Sequence, residues 1–103
     1  MVCLVKDGSG YRLETSLQLS EVQAKLLSEF RIPADAMFII TYTGLTLDIG
    51  FTDDAGHQYS LSLNLKDGSA VVREDYGIVR YTITHYRDGS SQVEEEVGYD
   101  SAS

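Results

Sequence analysis

The chain has one cysteine, Cys3, so no disulfide can close within it and the cross-linked framework of a small secreted domain is excluded. Basic residues are scarce. Eight Lys and Arg against sixteen Asp and Glu give a net charge of −8, a field that repels phosphate backbones and anionic headgroups. Direct binding to nucleic acid or to a membrane surface is therefore not expected. Long apolar runs are missing too: Met1 to Val5 is too short for a signal-peptide core, and no stretch approaches the roughly 20 residues of a membrane span. Together these absences point to a cytoplasmic setting. Tryptophan is also absent, and the aromatic content rests on seven tyrosines and three phenylalanines.

What is present is ordinary for a globular chain. Its 103 residues match one domain, 1–103, and 43% apolar with 23% charged residues lies far from the composition of disordered segments. A domain of this size buries only about 60–70% of the surface its unfolded chain exposes, which leaves little mass for a deep catalytic cleft. The negative charge is lopsided: residues 1–51 hold four basic and six acidic side chains, residues 52–103 four basic and ten acidic.

One segment has helical period. Leu19, Val22, Leu26, Leu27 and Phe30 fall on one face while Glu21, Lys25 and Glu29 point away. Ser20 with Gln23 reads as a capping box, and Pro33 forces Ile32 out of helical geometry, so the helix is placed at about 20–31. The rest alternates with period two. Leu45, Leu47, Ile49 and Phe51 form one run, and Tyr59, Leu61, Leu63 and Leu65 another, as expected of antiparallel strands with one wet face. Phe38, Ile40 and Tyr42 occupy even positions, so the parity slips at Thr43-Gly44, where a bulge or tight turn must sit. The strands are expected at about 37–43, 45–52, 58–66, 69–74, 78–87 and 91–98.

A turn motif recurs three times: Lys6-Asp7-Gly8-Ser9, Lys66-Asp67-Gly68-Ser69 and Arg87-Asp88-Gly89-Ser90. Asp-Gly between alternating runs signals a hairpin, because glycine accepts the positive φ such turns need. A two-residue turn at Asp7-Gly8 would pair Leu4 with Tyr11 and Val2 with Leu13. At the third motif a three-residue Arg87-Asp88-Gly89 loop is preferred, since it sets Ile83 against Val93 and Val79 against Val97.

The expected fold is α+β: a short N-terminal hairpin, then one amphipathic helix packed on an antiparallel meander of five to six strands. A single helical stripe cannot cover a broad flat sheet, so the sheet is expected to curl around it. In the order of its elements the chain resembles helix-grasp folds of the cystatin or monellin type. The glutamine-valine-glycine loop that cystatins turn on proteases has no counterpart here, so the resemblance does not extend to that activity.

Chemistry-bearing residues are few. His57 lies in Asp53-Asp54-Ala55-Gly56-His57, whose spacing matches neither a calcium loop nor a paired-His zinc site, and reads as a solvated hairpin tip. His85 continues the Val79, Tyr81, Ile83 face as a half-buried strand residue. Cys3, inside an apolar run, reads as a small buried hydrophobe. No nucleophile elbow or Cys-His signature is visible, and Gly8-Ser9-Gly10 is too short for a phosphate loop. No catalytic residue, metal or cofactor is expected.

The surface is more informative. Glu94, Glu95 and Glu96 in a terminal strand, Tyr99 after them, and Glu74, Asp75 and Tyr76 at an upstream turn interleave carboxylates with tyrosine. Carboxylates steer a cationic partner and tyrosine supplies contact area, though charge on an edge strand also guards against aggregation. The expectation is a non-catalytic acidic module that binds a protein with a basic surface. An inhibitor or blocker of a nucleic-acid-handling protein fits, of the antitoxin, immunity or phage anti-defence type. The alternatives are a carrier with an apolar pocket near Phe30, Phe38, Phe51 and Leu63, and a structural subunit whose edge strand extends a neighbour's sheet. The sequence leaves the oligomeric state open.

Overall fold

The capping box forms as its residues require. In the computed structural model, which describes residues 2–98, the Gln23 backbone N–H donates to Ser20 Oγ and the Ser20 N–H donates to Gln23 Oε1, at 3.2 and 3.0 Å. Helix α1 spans Glu21–Glu29, between the caps Ser20 and Phe30. Pro33 then enforces extended backbone, and Ile32–Pro33 become the short strand β3.

Before the helix, β1 (Val2–Asp7) and β2 (Gly10–Thr15) form the N-terminal hairpin, to which β3 adds as a third antiparallel strand. Its register differs from the sequence expectation: Leu4 faces Leu13, Val2 faces Thr15 and Asp7 faces Gly10. The turn is therefore centred on Gly8-Ser9, with Gly8 at φ +64° in the first central position, where glycine is the natural occupant of a hairpin turn. Centring it on Asp7-Gly8 would have asked Asp7 for the unfavourable φ. The slip is two residues, so each side chain keeps its face. Asp7 instead accepts ion pairs from Arg31 at 2.9 Å and Arg12 at 3.6 Å. Cys3 faces Glu14 and is exposed, which corrects the expectation of a buried thiol; only one face of this hairpin meets the core.

The remaining strands are β4 (Met37–Tyr42), β5 (Thr46–Thr52), β6 (Gln58–Asn64), β7 (Ala70–Asp75), β8 (Val79–His85) and β9 (Ser91–Val97), hydrogen-bonded in that order with β4 and β9 at the edges. The parity slip is a tight turn. The Thr43 N–H donates to the Thr46 carbonyl at 3.0 Å, and Gly44 sits at φ +92°. Leu45 is thus the turn's exposed tip and not part of the inward run. The β8–β9 register is the expected one, Ile83 to Val93 and Val79 to Val97. Asp67 and Asp88 each accept from the backbone N–H and hydroxyl of Ser69 and Ser90, at 2.6–2.9 Å. These bonds, the hydroxyl first, hold both carboxyls below the usual carboxylate range.

The core lies where three units meet. Leu13 of β2, Ile32 of β3 and Leu27 of α1 close over Leu47 and Ile49 of β5, Leu61 and Leu63 of β6 and Ala70 of β7, all buried. The cover of the large sheet is therefore the helix together with the small sheet, so the packing does not depend on the curl that a lone helix would demand. Gln23 is 1% exposed. Its Nε2 donates to the Asn64 and Ser69 carbonyls at 2.7 and 2.8 Å, and Ser20 Oγ donates to the Gly68 carbonyl at 2.7 Å. Helix α1 is pinned by its first turn to the β6–β7 loop.

The small sheet depends on a close approach. A Cβ at Gly10 would lie 2.4 Å from the Ile32 carbonyl oxygen. Gly10→Ala is expected to force β3 from β2 and to lower the unfolding free energy by about 1–3 kcal/mol, the usual cost of overpacking, read as a shift in urea midpoint.

Burial stops short of the last hairpin. All seven residues of β9 are exposed, and the buried core reaches no further than Ala70 of β7. Two residues of the inward-facing alternation also lie outside it: Phe38 and Tyr42 are on the covered face of the large sheet, but edge strand β4 leaves both exposed.

Candidate partner-binding surface

Strand alternation divides the acidic residues between two faces of the β7–β8–β9 region. Asp75, Arg80 and Glu96 form a cross-strand row on the outer face. Arg80 bridges its neighbours, with Nε 3.2 Å from Asp75 and Nη1 3.1 Å from Glu96. Asp75 also accepts from the Gly77 N–H at 2.9 Å, which shapes the β7–β8 turn. Both carboxylates are therefore already matched to a cation or the backbone. Glu94 lies on the same outer face opposite Thr82.

The opposite face has another character. Tyr59 of β6, Glu74 of β7, Tyr81 of β8 and Glu95 of β9 stand side by side across four strands. Among the described residues no cationic side chain forms an ion pair with Glu74, Glu94 or Glu95. Tyr76 folds back from the turn and donates its hydroxyl to Glu74 Oε1 at 2.9 Å. Tyr99 lies outside the described residues. The seven sequence candidates thus resolve into Glu74, Tyr76 and Glu95 on the tyrosine-rich face, Asp75, Glu94 and Glu96 on the other, and Tyr99 beyond the description.

Aromatic packing links this face to the core. Phe30 meets Phe51 edge-on at 5.6 Å, Phe51 stacks on Tyr59 at 5.0 Å, and Tyr76 touches Tyr59 and Tyr81 edge-on at 5.9 and 6.2 Å. His57 adds an edge contact to Tyr76 at 5.0 Å. Asp53 organises the adjoining loop, accepting from the Ala55 and His57 N–H groups at 3.0 and 2.9 Å, and its other oxygen is 3.5 Å from His57 Nδ1. His57 is thus a half-buried loop residue, not a solvated tip. Among the described residues no group of three or more His, Cys, Asp or Glu is arranged to hold a metal ion. Tyr59 and Tyr81 are both half-buried on this face, and the register of the last hairpin, legible from the sequence, sets Tyr81 against Glu95.

The Glu74 carboxylate pushes the Tyr76 phenol up to about 12, first through their hydrogen bond and then through loss of solvent. The raised value means that the folded chain favours the neutral phenol. This contribution to stability is complete below the ordinary value of 10 and is lost as pH rises through about 12. Ultraviolet titration should find Tyr76 protonated above pH 10, with Glu74→Gln returning it toward the ordinary range.

The side chains named for a ligand pocket are packed or external. Leu63 is fully buried, Phe30 and Phe51 are in contact, and Phe38, on the covered face, is left exposed at the β4 edge. A shallow open trough of about 860 Å³ does cross the large sheet, but on the outer face over Gly50, Ser60 and Thr82. No helix is long and apolar enough to cross a membrane among the described residues. Comparison with protein-family models, curated proteins and solved structures finds no match to this chain.

Proposed function

We propose that this chain is a non-catalytic binding protein that takes a basic patch of another protein against the Tyr59–Glu74–Tyr81–Glu95 row. The observation that carries the reading is that row itself: two carboxylates without a cationic partner, interleaved with tyrosine rings across four strands and ending on the exposed strand β9. A lysine or arginine set between Glu74 and Glu95 meets the Tyr81 ring as well as a carboxylate. A ring–cation contact of this kind is worth about 0.5–1 kcal/mol at an exposed site and more once water is excluded. The net charge of −8 adds long-range steering.

A surface that neutralises lysines and arginines competes with nucleic acid for them, so a blocker of a nucleic-acid-handling protein is the biological form that fits best. Cytoplasmic placement belongs to the same proposal, supported by an exposed, unpaired Cys3.

Capture from lysate on immobilised protein tests it, using paired variants. Glu74→Gln with Glu95→Gln should abolish capture of a basic protein, and so should added salt. Asp75→Asn with Glu96→Gln, which alters a row already neutralised by Arg80, should leave capture largely intact. Equal capture by both pairs, a salt-insensitive partner, or no basic protein retained by the wild type would overturn the assignment.

A further inference from the structure

The two edges of the large sheet are unlike. β9 is exposed along its length and carries three glutamates. β4 reads Met-Phe-Ile-Ile-Thr-Tyr, with no charge, proline or glycine. Met37 is 81% exposed, Ile39 70% and Tyr42 50%. Charged residues, proline and bulges are the usual guards of an edge strand. β9 is guarded in this way and β4 is not.

The backbone is open for pairing as well. The Thr43–Thr46 hydrogen bond assigns the odd residues of β4 to β5. The N–H and C=O groups of Phe38, Ile40 and Tyr42 therefore face outward, and among the described residues no strand pairs with them.

The geometry points to a second copy of this chain as the occupant, joined β4 to β4 in antiparallel register about a two-fold axis at Ile40. A two-fold axis normal to the sheet keeps each residue on its own face, so only residues of like parity can oppose one another. The outward groups are the even ones, and a register centred on Ile40 uses all three. Phe38 then faces Tyr42 of the second copy, and Ile40 faces its own counterpart. The two exposed aromatics of each strand thereby become cross-strand aromatic pairs, among the stabilising contacts of antiparallel sheets.

Charge favours this occupant over head-to-tail addition. β4 against β9 would bring Glu95, whose backbone faces the open edge, into an apolar ladder. β9 against β9 would gather the glutamates of both copies. In the β4 pairing, the only charge on the strand behind is Asp48. Its two copies lie about 16 Å apart by strand spacing and rise, beyond the roughly 8 Å screening length at physiological salt. As far as the large sheet is concerned the assembly is closed, because it consumes both β4 edges and leaves only the acidic β9 edges outside. The row proposed to bind a basic partner is at the other end of the sheet and stays free in both copies.

Sedimentation from micromolar to millimolar concentration tests the pairing. The wild type should pass from one copy to two and stop there. Ile39→Lys sets lysines diagonally across the axis, and Phe38→Pro removes an N–H that the single chain leaves unbonded. Both should keep the wild-type circular dichroism and weaken dimerisation at least about tenfold, that is about 1.4 kcal/mol, while Glu95→Gln leaves it unchanged. A wild type that stays single, growth beyond two copies, or variants that fold and pair as the wild type does would overturn the proposal.

Discussion

Leu63→Ala is expected to lower the unfolding free energy by about 3–5 kcal/mol, the upper part of the range for truncating a buried leucine. Leu63 is fully buried, faces Leu47 on β5 and Ala70 on β7, and lies beneath the cover made by Leu13, Leu27 and Ile32. A cavity there is enclosed by strands on both sides, so little can relax into it. Because a domain of this size has only about 5–15 kcal/mol in total, the variant should be partly unfolded at temperatures the wild type tolerates. Val93→Ala on β9 is the contrast. Val93 continues the same cross-strand face but is exposed, and its truncation should cost less than about 0.5 kcal/mol. Denaturant melts of the two variants locate where the two-layer core ends.

The second large effect belongs to a polar residue. Gln23→Leu should cost about 2–4 kcal/mol, since it removes the reciprocal half of the cap and two amide bonds to the Asn64 and Ser69 carbonyls; a net bond is worth about 1 kcal/mol, and buried groups left without partners add more. Gln23→Glu should be worse at neutral pH despite its matching shape, because it turns a carboxylate toward two carbonyl oxygens. That ordering, with glutamate below leucine, separates an amide needed as a donor from a side chain needed only for its volume. Thermal melts at neutral pH read it directly.

Gln23 also illustrates what the sequence conveyed. Ser20 and Gln23 announced the helix start, because a capping box is local chemistry between residues three apart. That the same glutamine would be buried and reach across to β6 and β7 depends on contacts 41 and 46 positions away, which no local pattern encodes. The strands were legible for a similar reason: a wet face and a dry face impose period two wherever one side is covered. The reading failed where a residue keeps its face but loses its cover. Phe38, Tyr42 and Leu45 fit the alternation, yet one edge strand and one turn tip leave them in solvent. At the N-terminal hairpin a two-residue slip preserves the faces, so the hydrophobic pattern could not decide between registers and the φ of Gly8 did.

The candidate surface was legible as composition and not as geometry. Consecutive glutamates read as one patch, but strand pleating sends Glu95 to one face and Glu94 and Glu96 to the other. Arg80, 16 residues from Glu96, then pairs with Glu96 and Asp75 and, among the described residues, leaves Glu94 on that face without an ion pair. What remains is a smaller and sharper site, defined by the two carboxylates that lack a cation and stand beside tyrosine rings.

The charge of Glu95 is the most direct handle on that site, and the affinity of a captured basic partner for Glu95→Lys, measured by calorimetry at low and physiological salt, is the decisive measurement. A loss of at least about tenfold at low salt, with a weaker salt dependence than that of the wild type, is the predicted result. Unchanged affinity and an unchanged salt response would contradict it and leave the tyrosine–glutamate row with no part in binding.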